Sequence, residues 1–447
     1  MKRAVSEARS WSRWAPAVAL VLCACGGGNQ DEPAGPTGDI QVDLFSTLLG
    51  KSDAEVEDKV GTAVNRFFGI GTDEPDTLDA ANGYRCYHEL PQDPSLAFIW
   101  APDSNDIRSE GMSYGMILAV QRDLHEQFDR LWKFAKTYMQ FADDTSVSAW
   151  ADYFRWQGRV DPADPMNWAI TFGDTTSPAP DGDQYFAAAL YLAAQRWGSS
   201  GDVNYQAEAE RITSAMLHNQ PTQKQSMMDS DRYPIVHATE NMVTFVPIGN
   251  ANDFTDPSYH LPAFYELFAR FGPAEDSAAW RSVAETSRAY LVRSAHAGTG
   301  LHPDYAGFDG TPVAGNNGQM QGHDSFGYDA WRVVMNMAVD YVWFSQDQRM
   351  SRQVTKYHEF FSSRISDSNV QNALYHLDGS SPSGGGSTAL TATLAAGSLA
   401  TLDKDRTHFV SNLWNVSQQQ GMYRYYQEGV YLLGLLNTAG QFRYRWQ

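Results

Sequence analysis

The sequence predicts an all-α fold of about twelve helices, arranged as a ring of helical hairpins, and three observations lead to that prediction. From about Asp53 onward, apolar residues recur at helical spacing in a dozen segments of similar length. Long loops rich in Gly, Pro, Asp and aromatic residues join the segments, with no convincing alternating strand pattern. No linker composition follows residue 39. Helical hairpins joined by long polar loops suit a closed ring whose loop end forms the functional site.

The predicted helices follow from apolar periodicity, taken in chain order. They span residues 54–68, 112–124, 128–139, 184–196, 205–217, 259–271, 278–294, 328–344, 350–364, 388–402, 405–418 and 425–436. Stretches such as "GDTTSPAPDGD" and "FDGTPVAGNNGQMQGHDS" separate them. We predict loops there, because Gly, Pro, Asp and Asn favour turns.

The N-terminal residues predict export. Basic residues precede the apolar run "WAPAVALVLCAC", which is too short to span a bilayer and has the layout of a secretory signal. Leu22-Cys23-Ala24-Cys25 resembles a bacterial lipobox, which implies a lipoprotein signal peptide over residues 1–24 and lipidation of Cys25. Gly26 in the next position implies the outer membrane of a Gram-negative cell, with plain secretion or a periplasmic location as the alternative.

The rest of the chain is predicted to be a tether and one domain. Residues 25–39 are Gly- and Pro-rich and are typical of a flexible tether, and residues 40–447 are expected to form a single catalytic domain. Cys86 is the one cysteine after Cys25, so no disulfide and no cysteine metal site is expected within the domain. We expect a monomer whose contact with a membrane is limited to the lipid anchor.

Composition restricts the class of ligand. The formal charge is −20, with acidic residues scattered along the chain, which argues against nucleic acid and anionic lipid as partners. The chain carries 13 Trp, 22 Tyr and 22 Phe. Aromatic faces bind the apolar faces of sugar rings, so this content favours a neutral carbohydrate, although most of the rings are expected in the core.

Three acidic residues stand at predicted helix starts: Glu110 in "RSEGMSYGM", Asp181 in "APDGDQYF" and Asp329 in "FGYDAWRVV". Each taken alone is interpreted as a helix cap, because carboxylates stabilise helix N-termini. Taken together, the three residues predict a catalytic site. Metal-free cleavage of a glycosidic bond needs one carboxylic acid to protonate the leaving oxygen and one carboxylate to activate water. The small residues Gly111 and Ser113 are expected to let a sugar approach Glu110 closely.

These motifs resemble those of glycoside hydrolase family 8, whose catalytic domain is an (α/α)6 barrel and whose members invert the anomeric centre. The resemblance implies that Glu110 is the general acid, Asp329 the general base and Asp181 the carboxylate that holds the sugar at the cleavage point, with no metal or cofactor. Pro180 replaces the Ser or Thr usual before the matched Asp181.

Within that family, "DPSYHLPAFYELF", "APDG" and "GMSYGM" resemble the reducing-end xylose-releasing exo-oligoxylanases. This implies xylo-oligosaccharides as substrate and contact of Tyr259 with the reducing-end sugar. The subgroup's partner His falls, by gapless counting, at Gly386 or Ser387 and is missing, while His376 is either a substitute or an ordinary turn residue. Two alternatives therefore stay open: an endo-acting β-1,4-glycanase (xylanase or glucanase), and a non-catalytic glycan-binding lipoprotein.

Other residues are secondary candidates. Asp304 and Asp309 compete with Asp329 for the role of base. The histidines do not share the i, i+4 spacing of a metal helix, so no metal site is expected. Trp331 is a sugar platform or a core residue. The predicted substrate-binding residues are Tyr114, which is also expected to orient or desolvate the acid, Tyr259, Trp156, Trp168 and Arg332.

Overall fold

Six helices form an inner ring in the computed structural model, which describes residues 42–73, 76–141, 149–173, 176–223, 230–314 and 322–446. Each inner helix contacts the next, and the last contacts the first, so the ring is closed. The inner helices are α3 (Ser109–Gln121), α5 (Pro180–Trp197), α7 (Pro262–Phe271), α9 (Val333–Asp340), α11 (Thr388–Gly397) and α13 (Arg424–Thr438).

Six further helices form the outer layer. Five of them pack against the inner helix that precedes them in the chain, and the first, α2, packs against the last inner helix, α13. They are α2 (Asp53–Phe68), α4 (His125–Phe134), α6 (Tyr205–His218), α8 (Ser277–Arg293), α10 (Gln348–Phe361) and α12 (Arg406–Asn415). A short helix, α1 (Leu44–Leu49), packs on α12 and α2. The alternation of inner and outer helices confirms the predicted (α/α)6 barrel.

Burial explains which helices lie inside. Every residue of α11 is buried, and in α3 only Glu110 falls outside the buried class. Small residues allow the inner helices to approach closely: a Cβ at Gly434 of α13 would lie 2.7 Å from Ala392 of α11. The outer helices bury one face and expose the other, as amphipathic helices do. One hydrophobic core extends from Leu44 to Tyr444.

The expectation of no strands was wrong. A five-stranded antiparallel sheet joins β1 (Tyr87–Leu90), β2 (Asp93–Ala101), β3 (Asp106–Arg108), β4 (Gln157–Asp161) and β5 (Ala169–Phe172), and a two-stranded ladder joins β6 (Phe254–Thr255) and β7 (Ala306–Gly307). The second half of β2 is buried on both faces, which removes the alternation that would reveal a strand. The sheet matters for the site, because β3 ends directly before α3 and so fixes the start of that helix.

Two predicted helices have different ends. The segment predicted as 128–139 is α4 followed by a π-helical turn, Ala135–Met139, and the segment predicted as 328–344 begins with a 3-10 turn, Ala330–Arg332, and ends in the π-helical turn Tyr341–Ser345. Asp329 therefore precedes its helix. Within the described residues, no helix is long and apolar enough to cross a bilayer. The predicted signal peptide, Cys25 and the predicted tether lie outside the described residues.

Candidate active site

The N-terminal ends of the inner helices carry the acidic residues, and they converge on one open cleft of about 530 Å3. Glu110 and Asp181 are the second residues of α3 and α5. Asp256 precedes the 3-10 turn that leads to α7, and Asp329 precedes the turn that leads to α9. Glu110 and Asp329 both line the cleft. The barrel thus brings together carboxylates that are more than two hundred residues apart in the chain.

Arg332 lies at the centre of this group. Its Nη1 donates to Glu110 Oε1 at 2.9 Å and to Asp181 Oδ2 at 3.0 Å, and its Nη2 donates to Asp329 Oδ1 at 2.8 Å. The remaining contacts of the two nitrogens are with the hydroxyls of Tyr114 and Ser258, at 3.0 and 2.7 Å. The planar fork of arginine suits this shared role, because it presents several donors in fixed directions.

The helix-cap interpretation does not hold for Glu110 and Asp329. Neither side chain caps the first turn of its helix, and both bind Arg332 instead. Asp181 accepts the adjacent Gly182 N–H at 2.8 Å through one oxygen and binds Arg332 through the other. Carboxylates that bind a buried guanidinium and do not cap their helices are placed for chemistry or ligand binding.

The charges at this centre do not balance. Four carboxyl groups face one guanidinium, if Asp256 Oδ2 at 3.7 Å from Arg332 Nη2 is included. Burial raises the pKa of Glu110, the charges of Asp181 and Asp329 raise it further, and Arg332 opposes the rise, which leaves a pKa of about 7. Burial also raises the pKa of Asp181, and it raises that of Asp256 well above its usual range. Glu110 can therefore carry a proton near neutral pH.

Tyr425 completes the surroundings of Glu110. Its hydroxyl donates to Glu110 Oε2 at 3.1 Å. A Cβ at Gly111 would lie 2.3 Å from the Tyr425 ring, and Ser113 is fully buried with its hydroxyl bonded to the Glu110 carbonyl. The expectation that Gly111 and Ser113 admit a sugar was therefore wrong: the glycine makes room for Tyr425.

Three predicted substrate-binding residues are buried beside the carboxylates. Arg332 is 3% exposed and binds protein groups with both terminal nitrogens, so it holds the carboxylates in place. Tyr114 is buried and shares Arg332 Nη1 with Glu110. The Tyr259 ring lies 5.7 Å from the Arg332 guanidinium carbon and is 8% exposed. Burial, with Asp181, Asp256 and Asp329 nearby, raises the pKa of Tyr259 well above its usual range.

The predicted tryptophan platforms lie in three different settings. Trp168 is 6% exposed and packs against Phe98, a placement that favours a core role. Trp156 is half-buried, and its carbonyl accepts the N–H of Ser109 at the start of α3. Trp331 lines the cleft and donates from its indole nitrogen to the Ala373 carbonyl.

The exposed aromatic walls of the cleft were not predicted from the sequence. Tyr328 is 55% exposed, and its ring centre lies 5.0 Å from that of Trp331. Tyr423 is 67% exposed and lines the cleft together with Tyr426, whose hydroxyl donates to the Tyr328 carbonyl. The dense aromatic stretch "MYRYY" at the start of a predicted helix was the signal that could have identified them.

The loop that precedes α11, where the missing His was expected, is held by hydrogen bonds and close packing. Ser387 caps α11 by accepting the Leu390 N–H, and its hydroxyl donates to Gln427. A Cβ at Gly386 would lie 2.8 Å from the side-chain nitrogen of Asn369. Gly386 lines the cleft, whereas His376 lines a neighbouring cavity of about 390 Å3 and lies in a turn closed by its own backbone.

The competing acids differ from Asp329. Asp309 is exposed and accepts the Thr311 N–H at 2.8 Å. Asp304 is 3% exposed and lines the neighbouring cavity. Asp329 is the one of the three that lines the cleft with Glu110. Ligand atoms of Asp304, His323 and Asp329 lie within 4.8 Å of one another, but both oxygens of Asp304 already accept hydrogen bonds within the protein.

The site combines a carboxyl that keeps its proton near neutral pH with a second carboxylate in the same aromatic-walled cleft. On an (α/α)6 barrel, this combination defines a site for acid–base cleavage of glycosides. Comparison with known proteins agrees. The family model of glycosyl hydrolases family 8 matches residues 100–440. The chain therefore belongs to this family of inverting glycoside hydrolases, as its three motifs predicted.

Similar proteins act on xylo-oligosaccharides. The chain is 36% identical over 367 residues to the reducing-end xylose-releasing exo-oligoxylanase of Paenibacillus barcinonensis, covering 80% of this chain and 87% of that enzyme. It is 33% identical over 405 residues to the enzyme of the same name from Halalkalibacterium halodurans, covering 88% and 92%. A solved xylohexaose complex of a family 8 xylanase from Teredinibacter turnerae has 37% identity and a TM-score of 0.79, covering 90% and 97%.

Proposed function

We propose that this enzyme hydrolyses β-1,4-linked xylo-oligosaccharides with inversion, with Glu110 as acid, Asp329 as base and Asp181 as the carboxylate that holds the sugar. The observation that carries the proposal is the shared guanidinium of Arg332, which binds all three carboxylates and holds two of them, Glu110 and Asp329, in the lining of the cleft. The similar enzymes that act on xylo-oligosaccharides support the substrate class.

The upper limit on the separation of acid and base is compatible with the inverting reaction of the family. Because a guanidinium holds its terminal nitrogens roughly 2.3 Å apart, the bonded oxygens of Glu110 and Asp329 are at most about 8 Å apart. Inverting enzymes place their two carboxyl groups about 6.5–9.5 Å apart, which leaves room for a water beside the sugar. Asp329 is also the more exposed of the two side chains, 26% against 15%, as access for water requires.

The reaction follows from these positions. Glu110, protonated because of its raised pKa, donates its proton to the glycosidic oxygen as the bond to the anomeric carbon breaks. Asp329 accepts a proton from a water that attacks the same carbon from the opposite face. The products are two shorter sugars, and the enzyme regains its starting state when a proton passes back from Asp329 to Glu110 through solvent.

We propose that the enzyme prefers to release xylose from the reducing end but tolerates chains that extend beyond it. Similarity to the exo-oligoxylanases supports the preference. Two glycines of the late loop, Gly384 and Gly386, line the cleft and offer no side chain to recognise a chain end. A site lacking one of two hydrogen-bonding partners is expected to lose about 1–3 kcal/mol of discrimination.

A second candidate, endo-acting cleavage, is favoured by the same glycine-lined loop. Product analysis separates the two. Xylotetraose and its alditol, which lacks the reducing-end ring, are digested in parallel, and products are followed from the first minutes. We expect xylose as the main early product from xylotetraose, and slower but measurable cleavage of the alditol. Equal rates on both would establish the endo mode, and no cleavage of the alditol would show that another group recognises the chain end.

We also propose that the enzyme is exported as a monomer and anchored through lipidated Cys25 in the outer membrane. The lipobox-like sequence before Cys25 supports this location. Labelling of cells with a palmitate analogue should mark the wild-type protein and leave Cys25→Ala unmarked. Label in neither protein, with the wild type recovered in the medium, would indicate plain secretion.

A further inference from the structure

The loop that carries Asp329 is hydrogen-bonded to Asp304, a buried carboxylate that does not line the cleft. Asp304 Oδ1 accepts the N–H of Ala330, the residue directly after Asp329, at 3.0 Å. Its Oδ2 lies 3.2 Å from His323 Nδ1. Asp304 is 3% exposed, so these bonds form in an environment where they are strong and costly to lose.

The fit around Asp304 is tight. A Cβ at position 327 would lie 2.8 Å from Asp304 Oδ2, so Gly327 is the residue that lets the loop descend onto the carboxylate. Backbone bonds tie the same segments together: Asp304 N–H donates to the Ser325 carbonyl at 3.0 Å, and Tyr305 N–H donates to the His323 carbonyl at 2.8 Å. The loop from Gly327 to Ala330 therefore has little freedom to shift relative to Asp304.

His323 keeps Asp304 in one orientation. Its ring stacks on Tyr305, with centroids 4.3 Å apart and planes at 15°. The hydrogen bond to Asp304 raises the pKa of His323, which favours the charged ring as donor. The positive ring then faces both Asp304 and Asp329 and offsets their repulsion across less than 4.8 Å.

We propose that Asp304, oriented by His323, is a positioning residue for the base: it sets the place of Asp329 through the Ala330 N–H. The inference rests on the proposed role of Asp329. Asp304 takes no proton from water, because it lines the neighbouring cavity and Asp329 lines the cleft. A displacement of about 1 Å in a reacting group can cost about 100-fold in rate, so the loss of this clamp has a measurable effect.

Kinetics on xylotetraose test the proposal with a graded set of variants. Asp304→Ala removes the acceptor of the Ala330 N–H, and we expect kcat to fall about 100-fold with KM within about threefold of wild type. Asp304→Asn keeps an acceptor oxygen of the same size, so kcat should stay within about tenfold of wild type. Asp309→Ala is the matched control, because Asp309 also accepts a backbone N–H, that of Thr311, but is exposed and does not line the cleft with Asp329.

The side chain of His323 is 30% exposed, so His323→Ala is the variant least able to disturb folding. We expect it to lower kcat about three- to tenfold with KM unchanged, because Asp304 loses one of its two partners. If Asp304→Ala does not fold, this variant decides alone, and wild-type kcat in His323→Ala then overturns the proposal. If Asp304→Ala folds, wild-type kcat in it overturns the positioning role of Asp304, and wild-type kcat in His323→Ala overturns the role of His323.

Asp329→Asn, measured in parallel, separates this inference from the proposed function. Loss of activity in Asp329→Asn together with a fully active Asp304→Ala refutes the positioning role and leaves the base assignment intact. An active Asp329→Asn with both Asp304 variants inactive would make Asp304 the base and refute the proposed function. Equal losses in Asp304→Ala and Asp304→Asn, with Asp329→Asn inactive, would show that the charge of Asp304 matters and the hydrogen bond does not.

Discussion

Replacing Glu110 by Gln should stabilise the protein, and only at neutral to alkaline pH. In the unfolded chain Glu110 releases its proton near pH 4.5, whereas in the folded site it keeps the proton to about pH 7. Between these values the folded state binds more protons than the unfolded state, so its stability falls as the pH rises. The Gln side chain has the same shape and no proton to lose.

The size of the effect follows from the same pKa. One pH unit of difference corresponds to 1.36 kcal/mol, so ionising Glu110 in the folded site costs about 3 kcal/mol. Below pH 4.5 the two proteins should differ only by the packing of Gln against Arg332 and Tyr425. Above pH 7 that constant difference is joined by about 3 kcal/mol in favour of Glu110→Gln.

Urea unfolding of wild type and Glu110→Gln at pH 4 and pH 8 measures this change. The control is Glu126→Gln, the same substitution at a side chain that is 69% exposed and remote from Arg332 in the chain. Any packing cost of Gln cancels when the two pH values are compared. The same difference in stability between the two proteins at both pH values, or a smaller advantage of Glu110→Gln over wild type at pH 8 than at pH 4, would refute the electrostatic account of the acid.

Three further predictions concern activity. Glu110→Gln and Asp329→Asn should each lower kcat on xylotetraose by a factor of about 1000 or more with the fold retained. The loss in Glu110→Gln should be smallest on aryl xylosides with good leaving groups, which need less help from an acid. Near-normal turnover by Asp329→Asn with an inactive Asp309→Asn would reassign the base. The pH profile of kcat/KM should fall on its alkaline side near pH 7, where Glu110 loses its proton; a profile flat to pH 9 would contradict this. Arg332→Met should move that alkaline limb to higher pH and Arg332→Lys should move it less, because Arg332 lowers the pKa of Glu110 by its charge; an unchanged limb in Arg332→Met would rule out that influence.

The barrel could be predicted because its helical segments are similar in length and are separated by long polar loops. Each of the twelve predicted segments overlaps an α-helix of the structure. The sheet escaped prediction for a physical reason: β3 has three residues, and the buried half of β2 shows no alternation. The start of α9 was placed too early, because an apolar segment does not show where a 3-10 turn passes into an α-helix.

The acidic residues of the candidate site were predicted from the sequence, but the contacts that join them were not. Glu110, Asp181 and Asp329 stand in distinctive motifs, but their common partner Arg332 lies far from two of them in the chain. Asp256 looks like a helix cap, and its Oδ1 does accept the Ser258 N–H at 2.6 Å, while its other oxygen faces Arg332. Long-range contacts of this kind depend on ring closure, which local patterns do not encode.

The stereochemistry of the first product tests the central claim most directly. Wild-type enzyme is added to a β-1,4-xylo-oligosaccharide, and proton NMR is recorded before mutarotation mixes the anomers. An inverting reaction, with a water between Asp329 and the sugar, predicts that the newly formed reducing end appears first as the α anomer. An initial β anomer would mean a covalent intermediate and would contradict the roles assigned to Glu110 and Asp329.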